Sequence, residues 1–101
     1  MAFVARFSFD VAFGKKAAMM KVLVKWEPVS REVGFPKAQI LSGSIGAPES
    51  RIESNYVFET LAALEATWAK LGDPRVAQVQ EQMAPLIVPG SHRWEIFRVQ
   101  T

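Results

Sequence analysis

The sequence predicts an α+β fold in which helices cover one face of a four-stranded antiparallel sheet. Three observations carry that expectation. Ala2–Ala12 alternates apolar and mixed side chains, the two-residue period of a strand with one oily face. Two stretches with helical apolar spacing, Lys15–Glu27 and Leu61–Met83, separate that strand from a pair of extended runs and from a last alternating run, Arg93–Gln100. The resulting order is strand, helix, strand, strand, helix, strand, with two crossovers flanking a hairpin. That is the split βαβ arrangement, the ferredoxin-like βαββαβ pattern.

In the first strand Phe3, Ala5, Phe7, Phe9 and Val11 point one way, and Val4, Arg6, Ser8 and Asp10 the other. Gly14 ends it. The first helix is expected from about Lys15 to Glu27, where Pro28 ends or kinks it, with a brief resumption over Val29–Val33 before Gly34. Met19, Val22, Leu23 and Trp26 form one apolar arc of this helix, and Ala17, Met20 and Val24 another. That apolar portion is wider than a stripe resting on one sheet requires, so part of it is expected to meet further protein.

Lys37–Ser42 and Arg51–Phe58 read as a hairpin around a loop marked by Gly43, Gly46 and Pro48. Ile52, Tyr56 and Phe58 are assigned to the helix-covered face, which leaves Arg51, Glu53, Asn55 and Val57 opposite. The reverse parity would bury Glu53 without a partner. Thr60 is the expected N-cap of a helix over Leu61–Leu71, with Leu61, Leu64, Trp68 and Leu71 as its buried stripe and Gly72 as its C-terminal cap. Asp73-Pro74 starts the next helix as N-cap and first helical residue, with Val76, Val79 and Met83 inward and Pro85 at its end. In the last strand Phe97 and Val99 take one side, and Trp94, Ile96 and Arg98 the other, assigned to the uncovered face with His92. The first and third strands are expected at the centre of the sheet.

The totals narrow the class. The 101 residues suit one domain, residues 1–101. Half are apolar, with seven Phe and three Trp, more than so small a domain readily buries, so a second copy is expected to cover some of them. The absence of cysteine excludes disulfides, thiolate chemistry and Cys-ligated metals. A net charge of +2, without clustered basic residues and interleaved exposed aromatics, gives no reason to expect nucleic acid. Apolar runs are shorter than the ~20 residues of a membrane span, and no signal-peptide pattern opens the chain, so a soluble cytoplasmic protein with no membrane partner is expected.

Phe13-Gly14-Lys15 after the first strand resembles the dimeric α+β barrel superfamily. Phe58-Glu59-Thr60-Leu61, Ala62-Ala63-Leu64-Glu65, Trp68 and Asp73-Pro74 are similar to the NIPSNAP-like branch of it, most closely over residues 52–87. These are capping and packing residues, and they speak to fold before chemistry. The resemblance implies a homodimer, and a superfamily that includes cofactor-free monooxygenases on aromatic compounds, lactone isomerases, haem-degrading enzymes and members without known activity. Haem degraders of this fold share an Asn, Trp and His set. Here Asn55 lies on the third strand rather than the first, and Trp68 on a core stripe, so no haem or other cofactor is expected.

The uncovered sheet face, mixed in character, suits a symmetric dimer closing into a barrel with a pocket between sheet and partner. His92 and Asp10 are the candidate acid/base residues, since an imidazole titrates near neutrality. Arg6, Glu53, Asn55, Trp94 and Arg98 are the candidate substrate-binding residues, with Trp94 at the cavity edge. No metal-ligand spacing is present. Gly43-Ser44-Ile45-Gly46 lacks the lysine of a phosphate-binding loop and the first glycine of a nucleophile elbow, and reads as a flexible hairpin loop. Two functional readings follow: binding of a small apolar or aromatic molecule, or cofactor-independent monooxygenase or isomerase chemistry in which Arg6 or Arg98 steadies an anion. Whether the protein is an enzyme stays open at this level.

Overall fold

The structure, a computed structural model, describes residues 2–101. Its strands are β1 (Phe3–Asp10), β2 (Gln39–Ser42), β3 (Arg51–Phe58) and β4 (Arg93–Arg98). Its helices are α1 (Lys16–Glu32), α2 (Leu61–Trp68) and α3 (Pro74–Met83), with short 3₁₀ turns at Ala69–Gly72 and Ala84–Leu86. The sheet runs β2-β3-β1-β4 with every neighbouring pair antiparallel, so the first and third strands are central as expected. This is the ferredoxin-like α+β fold with its helices on one face.

Register decides which side chains meet the helices. Phe3, Ala5, Phe7 and Phe9 of β1 stand opposite Phe58, Tyr56, Ser54 and Ile52 of β3, and facing residues of an antiparallel pair share a side. Ala5, Phe9, Ile52, Tyr56 and Phe58 are buried there. One core cluster joins Phe9, Val11 and Ile52 to Met19, Val22 and Leu23 of α1 and to Val79 and Met83 of α3. A second joins Ala5, Tyr56 and Phe58 to Val33, Phe35, Leu64 and Val76. The parities read for β1 and β3 are those observed.

Four local expectations change. The first helix runs through Pro28 to Glu32 as one element. Proline removes the N–H that would bond to the Val24 carbonyl. Val24 is 74% exposed, so water can serve that carbonyl, and the Ser30 hydroxyl donates to the Glu27 carbonyl at 2.8 Å. The second strand is shorter than expected, beginning at Gln39. The α-helical part of α2 stops at Trp68, and only Leu64 and Thr67 of it are buried, while Leu61 is 51% exposed. Gly72 does not cap in a left-handed conformation: it closes the 3₁₀ turn. The caps themselves hold. Thr60 Oγ1 accepts from the Ala63 N–H at 3.1 Å, and Asp73 Oδ1 accepts from the Arg75 N–H at 2.8 Å.

The larger change concerns β4. Phe7 pairs with Trp94, Ala5 with Ile96 and Phe3 with Arg98, so Trp94, Ile96 and Arg98 lie on the helix side. Phe97 is the residue on the uncovered face, where the Arg6 guanidinium stacks over its ring at 4.9 Å. Both parities of this strand are apolar, so alternation within β4 could not choose between them; its pairing with β1 does.

Candidate functional site

Between the helix side of the sheet and α1, α3 and the segment after α3 lies a cavity of about 580 Å³. Its floor is Phe7, Ser54, Tyr56 and Trp94 from three adjacent strands. Leu23 and Trp26 come from α1, and Gln80 and Met83 from α3. Leu71, Ala84, Ile87, Pro89, Gly90 and His92 complete the wall. The cavity forms because helical cover is uneven. The two core clusters fill the space above β1 and β3, with Trp26 packed against both. Ser54 is small where it faces Phe7, and no helix lies flush on β4. This cavity stands on the helix side of the sheet, within one chain, and is distinct from the pocket expected between sheet and partner on the other side.

Aromatic rings define the wall. Trp94 meets Phe7 at 4.9 Å between centroids, Tyr56 at 6.1 Å and the edge of Trp68 at 5.6 Å. Tyr56 continues to Phe35 at 5.2 Å, and Phe35 to Trp26 at 5.6 Å. These distances suit tilted and edge-to-face packing. The Trp26 indole N–H donates to the Tyr56 hydroxyl at 2.9 Å. Burial pushes the Tyr56 phenol above its ordinary value. The Trp26 and Ser54 hydrogen bonds act the other way, and the charge of Glu27 adds a smaller upward push. Tyr56 is therefore a neutral hydroxyl in the wall. No Lys, Arg, Asp or Glu lines the cavity.

The candidate site residues named from sequence divide among three places. His92 and Trp94 line the cavity, with the His92 ring 6.5 Å from Phe7. Both are corrections of face, since they were assigned to the uncovered side. Arg6, Glu53, Asn55 and Asp10 lie on that uncovered side. Arg6 Nε donates to Asn55 Oδ1 at 2.9 Å and lies 3.4 Å from Glu53 Oε1. The Asp10 carboxylate accepts from the Ser50 hydroxyl at 3.5 Å and faces Arg51 at 3.9 Å. Asp10 and His92 are thus separated by the sheet and cannot work on one bound molecule inside this cavity. Arg98 stacks over Phe3 at 5.6 Å, toward the other end of the sheet, and is not in the cavity wall. Asn55, Trp68 and His92 do not converge either, because Asn55 faces away from the cavity. Among the described residues no three His, Asp or Glu side chains gather as metal ligands, and no helix is long and apolar enough to cross a membrane.

Sequence reasoning missed Tyr56, Ser54, Trp26 and Phe7 as cavity residues. It placed Phe7 and Tyr56 under the helices correctly, but treated that side as filled. The available signal was the small Ser54 within an otherwise large-residue face of β3.

No protein-family model and no curated protein matches the chain. Solved structures do. An uncharacterised NIPSNAP-like domain protein from Burkholderia xenovorans superposes with a TM-score of 0.82 at 14% identity, covering 99% of this chain and 86% of that one. A NIPSNAP family protein of unknown function from Agrobacterium tumefaciens gives 0.79 at 21% identity, covering 97% and 87%. A cofactor-independent oxygenase from Streptomyces nogalater gives 0.73 at 13% identity, covering 99% and 94%. At such identities the likeness is one of fold: the chain has the ferredoxin-like α+β fold of NIPSNAP family proteins and of that oxygenase.

Proposed function

We propose that this is a NIPSNAP-like protein that forms a homodimeric α+β barrel and binds a small apolar or aromatic molecule in the cavity of each protomer. The cavity carries the reading. Its volume of about 580 Å³ lies within the range of small-molecule sites, and its wall is aromatic and aliphatic with a few polar groups, as such sites are. The dimer reading is supported by the uncovered face. Val57 is 56% and Phe97 43% exposed there. Three arginines (Arg6, Arg51 and Arg93) are balanced by three carboxylates (Asp10, Glu53 and Glu95) in pairs 3.4 to 3.9 Å apart. A neutral face of mixed character can meet a copy of itself without leaving net charge between the two sheets. On this reading Arg6, Glu53 and Asn55 organise the interface, while Trp94 contacts the ligand.

Native mass spectrometry of freshly purified protein tests both parts. The expected result is a dimer, with added mass when a ligand is retained. A clean monomer at micromolar concentration would remove the barrel, and a full set of apolar and aromatic probes that fail to bind would remove the ligand site.

A second reading is cofactor-independent monooxygenase or isomerase chemistry, and the placement of His92 on the cavity wall favours it. An imidazole there can take a proton from a bound molecule. Asp10 has no part in this version. Once a substrate is in hand, His92→Ala should lower turnover about 100-fold or more while the dimer and binding persist. Unchanged turnover would remove His92 as the base, and saturable binding without any product would favour the binding reading.

A further inference from the structure

The outer side of α1 carries an apolar stripe. Met19, Val22 and Leu23 point into the core, while Ala17, Met20, Val24 and Pro28 are exposed, Val24 to 74%. Their spacing of three and four residues sets them in one row along the helix. Single exposed apolar side chains are ordinary, but a row in register along one helix face makes a surface. Phe13, in the turn that leads into the helix, is fully exposed as well. That turn closes where the Lys15 N–H donates to the Ala12 carbonyl at 3.0 Å, with Gly14 at φ +78°.

Charge follows the stripe. Lys15, Lys16, Lys21 and Lys25 are the only charged residues between Asp10 and Glu27, and Glu27 is paired with Arg31 at 3.4 Å. At ~100° per residue, Lys16 flanks one edge of the stripe, and Lys21 and Lys25 flank the other. Lys16 is also tied to the β2–β3 hairpin, its Nζ donating to the Glu49 carbonyl at 3.0 Å. An apolar ridge edged by lysines is the pattern of a helix lying in the plane of lipid headgroups. The apolar side chains enter the boundary with the acyl chains, and the lysine stems lie along it while their ammonium groups reach phosphate. A helix lying on a surface does not have to be long enough to span a bilayer.

We propose that the outer side of α1, together with Phe13, docks on an anionic membrane surface, with Phe13, Met20 and Val24 inserted and Lys21 and Lys25 against lipid phosphates. This surface is on the helix side of the sheet, so it stays free when the uncovered sheet face meets a second copy. None of these residues lines the cavity.

Co-sedimentation of the full chain with vesicles of phosphatidylcholine alone, and of equal parts phosphatidylcholine and phosphatidylserine, tests the proposal. Binding should be confined to the anionic vesicles and should fall as added salt screens the charges. Lys21→Gln/Lys25→Gln should weaken it about 5-fold per lysine. Phe13→Ser/Val24→Gln should weaken it about 10-fold or more by removing inserted apolar area. Lys37→Gln/Lys70→Gln makes the same change in net charge outside α1 and should leave binding within about 2-fold. All these positions are exposed, so far-UV circular dichroism should be unchanged in each variant. No binding to the anionic vesicles, equal binding to both kinds, an equal loss in the Lys37/Lys70 variant, or no loss in the Phe13/Val24 variant would each overturn the proposal. So would assembly beyond a dimer that is dissolved by Phe13→Ser/Val24→Gln and occurs without vesicle binding, which would give this face to further copies of the chain.

Discussion

Tyr56 belongs to the core and to the cavity wall at once. Its ring packs on Phe35, and the residue also lines the cavity. Because burial raises its folded-state pKa, the native protein holds the Tyr56 proton more tightly than the unfolded chain does. The contribution is fully present below the unfolded value of about 10 and is lost as pH rises from there through the folded value. The urea midpoint should therefore fall more steeply above pH ~10 in the native protein than in Tyr56→Phe. Parallel curves would show that the phenol is not protected. At Thr60 the argument is local. Its hydroxyl satisfies the Ala63 N–H, and Thr60→Ala should cost about 1 kcal/mol in denaturant unfolding. A change within a few tenths would mean water serves that N–H equally well.

Among the elements, α1 departs most from a local reading. A proline at position 28 is a helix terminator by sequence rules, yet the helix continues to Glu32 because its inner arc is anchored on both sides of the proline. Met19, Val22 and Leu23 lie in one core cluster before it, and Val33 lies in the other after it. Tertiary packing on the sheet thus outweighs the lost backbone bond. Pro28→Ala restores the N–H to the Val24 carbonyl and should raise stability by about 1–3 kcal/mol, read as a higher urea midpoint at unchanged slope. A lower midpoint would show that the proline's restriction of the unfolded chain is worth more than the missing bond. The β2–β3 hairpin shows the opposite case, where a sequence signal was right for a reason of packing. A Cβ on Gly43 would collide with the Pro48 carbonyl, so the loop closes only around glycine.

At the scale of the molecule, the two sheet faces do different things. One holds both core clusters and the cavity. The other carries balanced ion pairs, each about a third exposed or more on one partner at least. Pairs exposed to that degree contribute little to the stability of the isolated chain, about 0–1 kcal/mol each. On the proposed dimer reading, their placement beside Val57 and Phe97 puts them across the subunit boundary. Val57→Glu puts an unbalanced charge on that face, opposite Val4 near one end of the β1–β3 pair. It should shift the protein to monomer by sedimentation at micromolar concentration while leaving its far-UV circular dichroism unchanged. A variant that remains dimeric would place the interface elsewhere. Such a variant also separates the two halves of the functional reading, because a cavity inside one chain should keep its ligand in the monomer.

Alternation in residues 2–12 and the need to keep Glu53 unburied were enough to assign both faces of β1 and β3. Ser and Thr chemistry was enough to place the Thr60 cap, and Asp73-Pro74 the start of α3, because each of those features is decided by neighbours in the chain. The facing of β4 was not legible, since Trp94 and Ile96 on one parity and Phe97 and Val99 on the other are equally apolar. Periodicity says which residues share a side, and only hydrogen-bonded register with Phe7 and Ala5 says which side the helices take. The cavity followed the same logic. His92 and Trp94 were named from sequence and then placed on the wrong face. Tyr56 and Trp26 were placed correctly and not seen as a site, and Ser54 was not singled out, because a void belongs to no segment. It exists where side chains from β1, β3, β4, α1 and α3, distant in sequence, stop short of one another, and that is settled only when the helices dock on the sheet.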